Sequence, residues 1–407
     1  MTLKAVELFA GVGGLAMGVG LAGFEALSVV EWDKAACDSV RLNQARGFPL
    51  VHDWPLYETD VRLMDWSSIP ENIELLAGGP PCQPFSMGGK HKANDDSRDM
   101  FPATVDIVRR LRPQAFIFEN VKGLTRASFA NYYQYILLQL EFPECPRRRQ
   151  EEWFSHLMRL QSIKTARNPR TQGLSYNVVP TLVNAADYGV AQKRERVFIV
   201  GFRSDLAIDW SFPAATHSED ALLRDQWVGA NYWDRHRIAA SGRLTPPMRQ
   251  EARIRKLCQS DLADLRPWRT VRDVIGDLPE PRENAAAGIA DHRYQAGAKV
   301  YVGHTGSPLD QPAKTIKAGD HGVPGGENMV VYPNGDVRYF SVREAARIQT
   351  FPDGFVFNGS WSETMRQLGN AVPVALARIV ASSVAQSLVE AKLRSALPQV
   401  QFKALAA

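Results

Sequence analysis

"LKAVELFAGVGGLAMGVGLAGFEALSVVEWD", residues 3–33, decides the fold of this chain. Residues 3–9 read as a short buried strand. "AGVGG" follows as a tight turn, and "LAMGVGLAGF" reads as a helix of small residues. "EALSVVEWD" (25–33) is a second strand that ends in acidic residues. The turn fits G-x-G-x-x-A at Gly11, Gly13 and Ala16, where glycines allow a sharp turn and close approach of a ligand to the backbone. Alone the pattern is weak, because such turns serve several adenosine ligands and some bind nothing. Its context adds weight. Glu31 stands 20 residues after Gly11 at the end of the second strand, where a carboxylate can bond ribose hydroxyls. Trp32 beside it can stack on an adenine. The alternative is a core-packing glycine turn with a Glu-Trp pair at the surface.

The same alternation continues outward. "AACDSVRLNQA" (35–45) is a helix, "ELLAGGPP" (74–81) a strand running into a loop, and "TVDIVRRLRP" (104–113) an amphipathic helix closed by Pro113. "QAFIFENV" (114–121) is a strand with its polar residues at the carboxyl end. "YNVVPTLVNAADYG" (176–189) and "RVFIVGF" (196–202) are two later strands. Strands alternating with helices predict an α/β fold with a doubly wound, parallel sheet. Ligands of such sheets bind beyond the carboxyl ends of the strands, where the chemically suggestive residues of this chain fall. Residues 203–337 are rich in Arg, Pro, Gly and Trp with irregular apolar runs, and predict a second domain. Helical pattern returns over 338–388, while the polar, basic stretch 142–175 looks like an insertion.

Composition sets bounds. The chain has 407 residues, 45% hydrophobic and 23% charged, with a net charge of +4. That mild basic excess is compatible with a polyanionic partner without requiring one. Cys37, Cys82, Cys145 and Cys258 lack CxxC spacing, which argues against a structural zinc site or a disulfide framework. Few scattered cysteines suit a reducing compartment. The start of the chain lacks the features of a signal peptide, and no apolar run is expected to reach the length of a membrane span. The expected setting is cytoplasmic.

"GGPPCQPFS" (78–86) places Cys82 between prolines at a strand end. Proline fixes φ and limits the freedom lost on ordering, so this loop holds a thiol in one place. A positioned thiolate is a strong nucleophile. "FENV" (118–121) puts Glu119 just after an apolar strand, where an isolated carboxylate is costly without a partner. In "QKRERVFIVG" (192–201), Gln192, Arg194 and Arg196 leave an extended strand on one side. Two guanidinium groups there can hold a carboxylate, a phosphate or a base carbonyl; a solvated edge is the alternative.

Together these pieces resemble the cytosine-5 DNA methyltransferase family. "ELFAGVGGLAMGVGLAGF" (7–24) is similar to its cofactor motif, and "VEWD" (30–33) and "TDV" (59–61) to the next two. "GGPPCQPFS" resembles the nucleophile motif and "DSRDMF" (96–101) the one after it. "FENVKGL" (118–124) is similar to the glutamate motif and "ADYGVAQKRERVFIVG" (186–201) to the arginine motif. "RYFSVREAARIQTFPDGFVF" (338–357) and "RQLGNAVPVALARI" (366–379) resemble the two C-terminal ones. The order of the motifs is also the family's. Only the 142–175 insertion and much of 203–300 lie outside the resemblance.

The resemblance implies a Rossmann-like, mostly parallel methyltransferase sheet formed by 1–202 plus 338–390. It also implies a smaller, irregular, mainly β target-recognition domain at 203–337, and leaves a tail at 391–407. It implies methyl transfer from S-adenosylmethionine, released as S-adenosylhomocysteine, to C5 of a cytosine flipped out of a specific duplex sequence, with no metal. Cys82 would attack C6, Glu119 would bond N3 and the exocyclic amine, and Arg196 would bind O2. Arg194 would support the loop and a phosphate, and Asn120 would order the strand end. Phe9, Gly11, Gly13, Gly14 and Leu15 would line the methionine side, closed by Asn370 and Ala371, with Ala10 and Pro81 also at the cofactor. Glu31 would take the ribose, Trp32 the adenine face, and Asp60 and Val61 the adenine edge. Ser86, Lys90, Arg98, Lys314, Thr315 and Lys317 would touch DNA. Arg147, Arg148 and Arg149 could add DNA contacts from the insertion, for which a helical surface decoration is the alternative. The loop after Cys82 is expected to close over the flipped base. The expected partner is double-stranded DNA, with a cognate restriction endonuclease as a further candidate, and the family prior is a monomer with no membrane association.

Three competing classes fit less well. A tRNA methyltransferase on the same scaffold would usually have a shorter recognition region than 203–337. A non-catalytic homologue would be expected to lose Cys82 or Glu119. A nicotinamide-dependent oxidoreductase explains Glu31 but not the Cys82 loop or "QKRER".

Overall fold

The structure is a computed structural model and describes residues 2–81, 99–166, 173–258, 265–318 and 327–396. Cys82, Ser86, Lys90 and Arg98, and the expected mobile loop, lie outside the described residues.

Seven strands form the central sheet: β1 (Leu3–Leu8), β2 (Phe24–Glu31), β3 (Leu56–Glu58), β4 (Leu75–Gly78), β5 (Ala115–Val121), β6 (Tyr176–Asn184) and β7 (Glu195–Arg203). Their spatial order is 3-2-1-4-5-7-6. All neighbours are parallel except β7, which runs antiparallel between β5 and β6. The order reverses between β1 and β4, and a doubly wound sheet opens a crevice at such a point.

Each face of the sheet is covered, as the near-continuous apolar strands require. Helices α1 (Gly14–Leu21) and α12 (Val374–Ala396) share one apolar cluster with Ala5, Leu75, Ile117, Phe198 and Val200. Helix α2 spans Lys34–Ala45, and Asp33 caps it by accepting from the Ala36 backbone N–H. Helices α3 (Phe101–Leu111), α4 (Ala130–Glu141) and α5 (Trp153–Thr165) cover the other face, with Leu8, Leu76, Phe116 and Ile199. Helix α5 belongs to the 142–175 insertion, yet its Leu157 and Leu160 are in this core. Its buried His156 joins the Tyr135 hydroxyl to the Cys145 carbonyl. The insertion is therefore part of the outer layer and more than a surface decoration.

Residues 203–337 are irregular, as predicted, but their regular pieces are chiefly helical. Helices α6 (Glu219–Trp227), α7 (Asn231–Arg235), α8 (Glu251–Leu257) and α9 (Val271–Ile275) accompany strands of only two or three residues. The expected mainly β character is absent among the described residues. These short helices depend on caps, such as Ser218 on the Ala221 N–H and the Thr270–Asp273 capping box. They also rest on a small aromatic core of Tyr232, Trp233 and Trp268.

The chain returns through α10 (Val342–Ile348) and α11 (Trp361–Asn370) into α12, which passes the expected boundary at 390 and ends at Ala396. By length and composition the helical stretch Trp361–Ala396 could cross a membrane, which corrects the expectation that no apolar run is long enough. More than half of the most apolar part of that stretch is buried inside this protein. Leu376, Val380, Val384 and Leu388 fill the core beside α1.

Candidate active site

The carboxyl end of β1 is built around an unusual backbone. Phe9 has φ of 54°, Gly11 of 55° and Gly13 of 86°. A left-handed φ at a residue such as Phe9 costs on the order of 1–3 kcal/mol and persists where surrounding structure enforces it, often at a functional site. Gly13 and Gly14 have no room for a side chain. A Cβ at Gly13 would lie 2.5 Å from the Trp54 ring, and one at Gly14 2.2 Å from the Val372 carbonyl oxygen. Gly11 differs, because nothing lies within 4 Å of its Cβ position. The turn is thus wedged from below and open above Gly11, and a ligand can approach its backbone there.

Glu31 ends β2 beside this opening and is buried. One carboxylate oxygen accepts from the Gly11 N–H at 2.7 Å; the other accepts from the Trp32 and Asp33 N–H groups at 2.9 and 2.7 Å. Burial raises its pKa, and these three donors oppose the rise. Trp32 is 72% exposed, an apolar plate next to the turn. Asp60 holds the Arg62 guanidinium, which keeps its pKa low. Val61 is buried, and its carbonyl accepts from the Trp66 indole N–H. Open backbone at Gly11, a buried acid and an exposed indole fit an adenosine-bearing donor such as S-adenosylmethionine.

On the other side of the switch point, β4 leads into Gly79, Pro80 and Pro81. Asn120 Nδ2 donates to the Pro80 carbonyl at 2.9 Å, and the Met100 N–H donates to the Pro81 carbonyl at 3.0 Å. The residues before Cys82 are therefore tied to both β5 and the start of α3. Asn120 orders the strand end as predicted. Glu119 is buried beside it, 3.7 Å from the Cβ position of Gly79, and its carboxylate meets the Arg196 guanidinium at 2.8 Å. Both side chains are almost fully enclosed. Burial lowers the pKa of Arg196, and Glu119 opposes that.

Arg194 departs from its predicted role. It is 1% exposed, so no phosphate can reach it in this arrangement. One terminal nitrogen donates to the Gly369 and Ala371 carbonyls at 2.8 and 2.9 Å, and the other to the Ile316 carbonyl at 3.4 Å. Arg194 and Arg196 thus hold different partners instead of one anion. Two glutamines complete the cluster. Gln192 donates to the Gln349 side chain at 2.9 Å and accepts from the Ile316 N–H at 3.0 Å. Gln349 donates to the Leu368 and Ala371 carbonyls. Gln349 was not foreseen, and an interior glutamine in "RIQTF" carries no sequence signal for it. Gln192 was flagged only by sharing a side with Arg194.

The expected DNA-contact segment lies against this cluster. Ala313–Lys314 pairs with Gln192–Lys193, and the Thr315 hydroxyl donates to the Lys193 carbonyl. Lys314 pairs with Glu327 and Thr305, whereas the Lys317 side chain is exposed. Asn370 is exposed, and Ala371 is buried against Gly14.

The glycine turn after β1 and the Glu119–Arg196 pair at β5 and β7 lie on either side of the switch point, an arrangement suited to passing a group from a nucleoside-type donor to a second molecule. The class is an α/β methyltransferase. The chain belongs to the C-5 cytosine-specific DNA methylase family, whose sequence pattern matches residues 3–143 and 169–386, and its activity is DNA cytosine-5 methylation. The unmatched gap falls inside the insertion. The type II methyltransferase M.NgoMIV of Neisseria gonorrhoeae is 28% identical over 95% of this chain and 99% of its own length. M.Eco47II of Escherichia coli, also type II, is 30% identical over 94% of this chain and 79% of its own. A solved structure described as a candidate DNA modification methyltransferase of an E. coli prophage matches the fold with a TM-score of 0.57. It is 21% identical and covers 95% of this chain and 99% of that one.

Proposed function

We propose that this enzyme methylates C5 of a cytosine flipped out of a specific duplex sequence, with Cys82 as nucleophile and Glu119 and Arg196 holding the base. The Glu119–Arg196 pair, enclosed beside the Pro80–Pro81 strand end that leads to Cys82, carries this proposal. Cytosine C5 is a poor nucleophile. Addition of the Cys82 thiolate to C6 turns C5 into a carbanion equivalent, which splits one difficult step into easier ones. As C6 is attacked N3 takes up a proton, and the Glu119 carboxylate accepts from that N3–H and from the exocyclic amine, while Arg196 donates to O2 and keeps Glu119 oriented. S-adenosylmethionine supplies the electrophilic methyl group. A base, water in the simplest case, then takes the C5 proton, the C5–C6 double bond re-forms and Cys82 leaves C6 as a thiolate by β-elimination. A base inside a duplex is out of reach of such a site until it leaves the stack.

Phe9, Ala10, Gly11, Gly13, Gly14, Leu15 and Pro81 hold the methionine portion of the donor, with Asn370 and Ala371 closing that end. Glu31 holds the ribose, and Trp32, Asp60 and Val61 the adenine. Residues 203–337 select the sequence, with Lys314, Thr315 and Lys317 on the DNA side. The enzyme acts as a monomer, and the type II relatives make a cognate restriction endonuclease a candidate partner.

The test is incubation with tritiated S-adenosylmethionine and either duplex DNA or tRNA. Label is expected in DNA and is expected to vanish in Cys82→Ala. Label in tRNA alone, or a Cys82→Ala protein as active as the parent, would overturn the proposal. Bisulfite sequencing of DNA from expressing cells identifies the sequence methylated.

A further inference from the structure

We propose that Arg194 is a positioning residue that couples the DNA-side segment 313–318 to the donor-side turn at Asn370–Ala371. Through it, duplex and donor each strengthen binding of the other. This rests on the roles proposed above for the two segments.

The contacts form an unbroken chain. Helix α11 ends at Asn370, and the last carbonyls of a helix lack partners within it. Arg194 and Gln349 satisfy those of Leu368 and Gly369, together with the carbonyl of Ala371 just beyond the helix. A cation is well placed at that end of a helix. The same guanidinium reaches the Ile316 carbonyl, and Gln192 receives the Ile316 N–H. The backbones also touch directly. A Cβ at Gly369 would lie 2.4 Å from the Ala318 nitrogen. On the far side, the carbonyl of Val372 lies so close to Gly14 that a Cβ there would be 2.2 Å from it.

Between Lys317 and the glycine turn there is thus no slack. Closely packed groups transmit a displacement instead of absorbing it. A duplex that seats 313–318 also seats the end of α11, and a donor that seats 370–371 does the same from the other end. Coupling of this kind is reciprocal by thermodynamic necessity. Arg194 suits the task because its planar fork spans three carbonyls, which the single ammonium of a lysine does not reproduce.

A purely structural role predicts lower stability with unchanged coupling. The experiment therefore measures the dissociation constant of S-adenosylhomocysteine by calorimetry, with and without a saturating duplex carrying the methylated sequence. In the parent, duplex is expected to tighten binding about tenfold. In Arg194→Lys the ratio is expected to fall below about threefold. Gln192→Ala, which cuts the Ile316–Gln349 link while leaving the arginine in place, is expected to lower it as well and serves if Arg194→Lys does not fold. A parent ratio of one, or a parental ratio in the folded variants, overturns the coupling. A parent that fails to methylate duplex cytosine sinks the proposed function instead, so the two failures are distinguishable.

Discussion

Glu7 and Glu119 are both carboxylates on strands of the central sheet, and burial treats them differently. Glu119 meets the Arg196 guanidinium. Glu7 is 4% exposed, and one of its oxygens has no hydrogen-bond partner among the described residues. It borders a cavity of about 20 Å³ beside Trp54 and Val29, room for a single water. Burial raises its pKa well above the ordinary value of 4.5. Well below pH 4.5, the acid is protonated whether the chain is folded or not. As pH rises above 4.5, the unfolded chain releases the proton and the folded chain keeps it, so stability falls until the raised folded pKa is passed. Glu7→Gln lacks this titration. Its urea midpoint should gain on the parent's between pH 4.5 and pH 8, and an equal gap at both ends would show that Glu7 does not titrate this way.

At the scale of elements, α1 is a helix whose glycines do unequal work. Gly14 meets the turn before α12, and Gly18 meets α12 itself, where a Cβ would lie 2.4 Å from that of Ala377. These close approaches let α12 lie directly on α1. Gly20 has open space at its Cβ position. Gly14→Ala must displace the Val372 carbonyl and should destabilise by about 1–3 kcal/mol, as overpacking does. Gly20→Ala should stabilise by about 0.5 kcal/mol, because alanine loses less backbone entropy in a helix. Thermal unfolding of the two variants checks the pair; equal shifts would contradict this assignment of contacts. The strand–turn–helix unit at residues 3–33 was legible because its signals are local. The short helices of 203–337 were not, because pieces of five to nine residues show little periodicity and depend on distant partners for their stability.

Across the whole molecule, the net charge of +4 says less about DNA binding than the distribution of free cations. Lys193 pairs with Glu219 and Lys314 with Glu327. Lys317 is exposed and has no ion-pair partner among the described residues. Lys317→Ala should weaken duplex binding similarly for all sequences and flatten the salt dependence by about one unit of slope. Lys314→Ala should change it less, since its charge is already partly neutralised. Fluorescence anisotropy with labelled duplex between about 50 and 200 mM salt measures both. Equal slopes for Lys317→Ala and the parent would remove Lys317 from the DNA side.

The sequence by itself determined the glycine turn, the acid at the end of β2, the proline-bounded Cys82 and the glutamate and arginine motifs, because each rests on short-range spacing. Alternation along a strand also showed from which side Arg194 and Arg196 leave. What each guanidinium meets was decided only by the tertiary structure, since the partners are on other elements. Arg196 finds a carboxylate on β5, and Arg194 finds the carbonyl end of α11, about 175 residues further along the chain. Strand periodicity gives a direction, and only the packed fold supplies what stands in it.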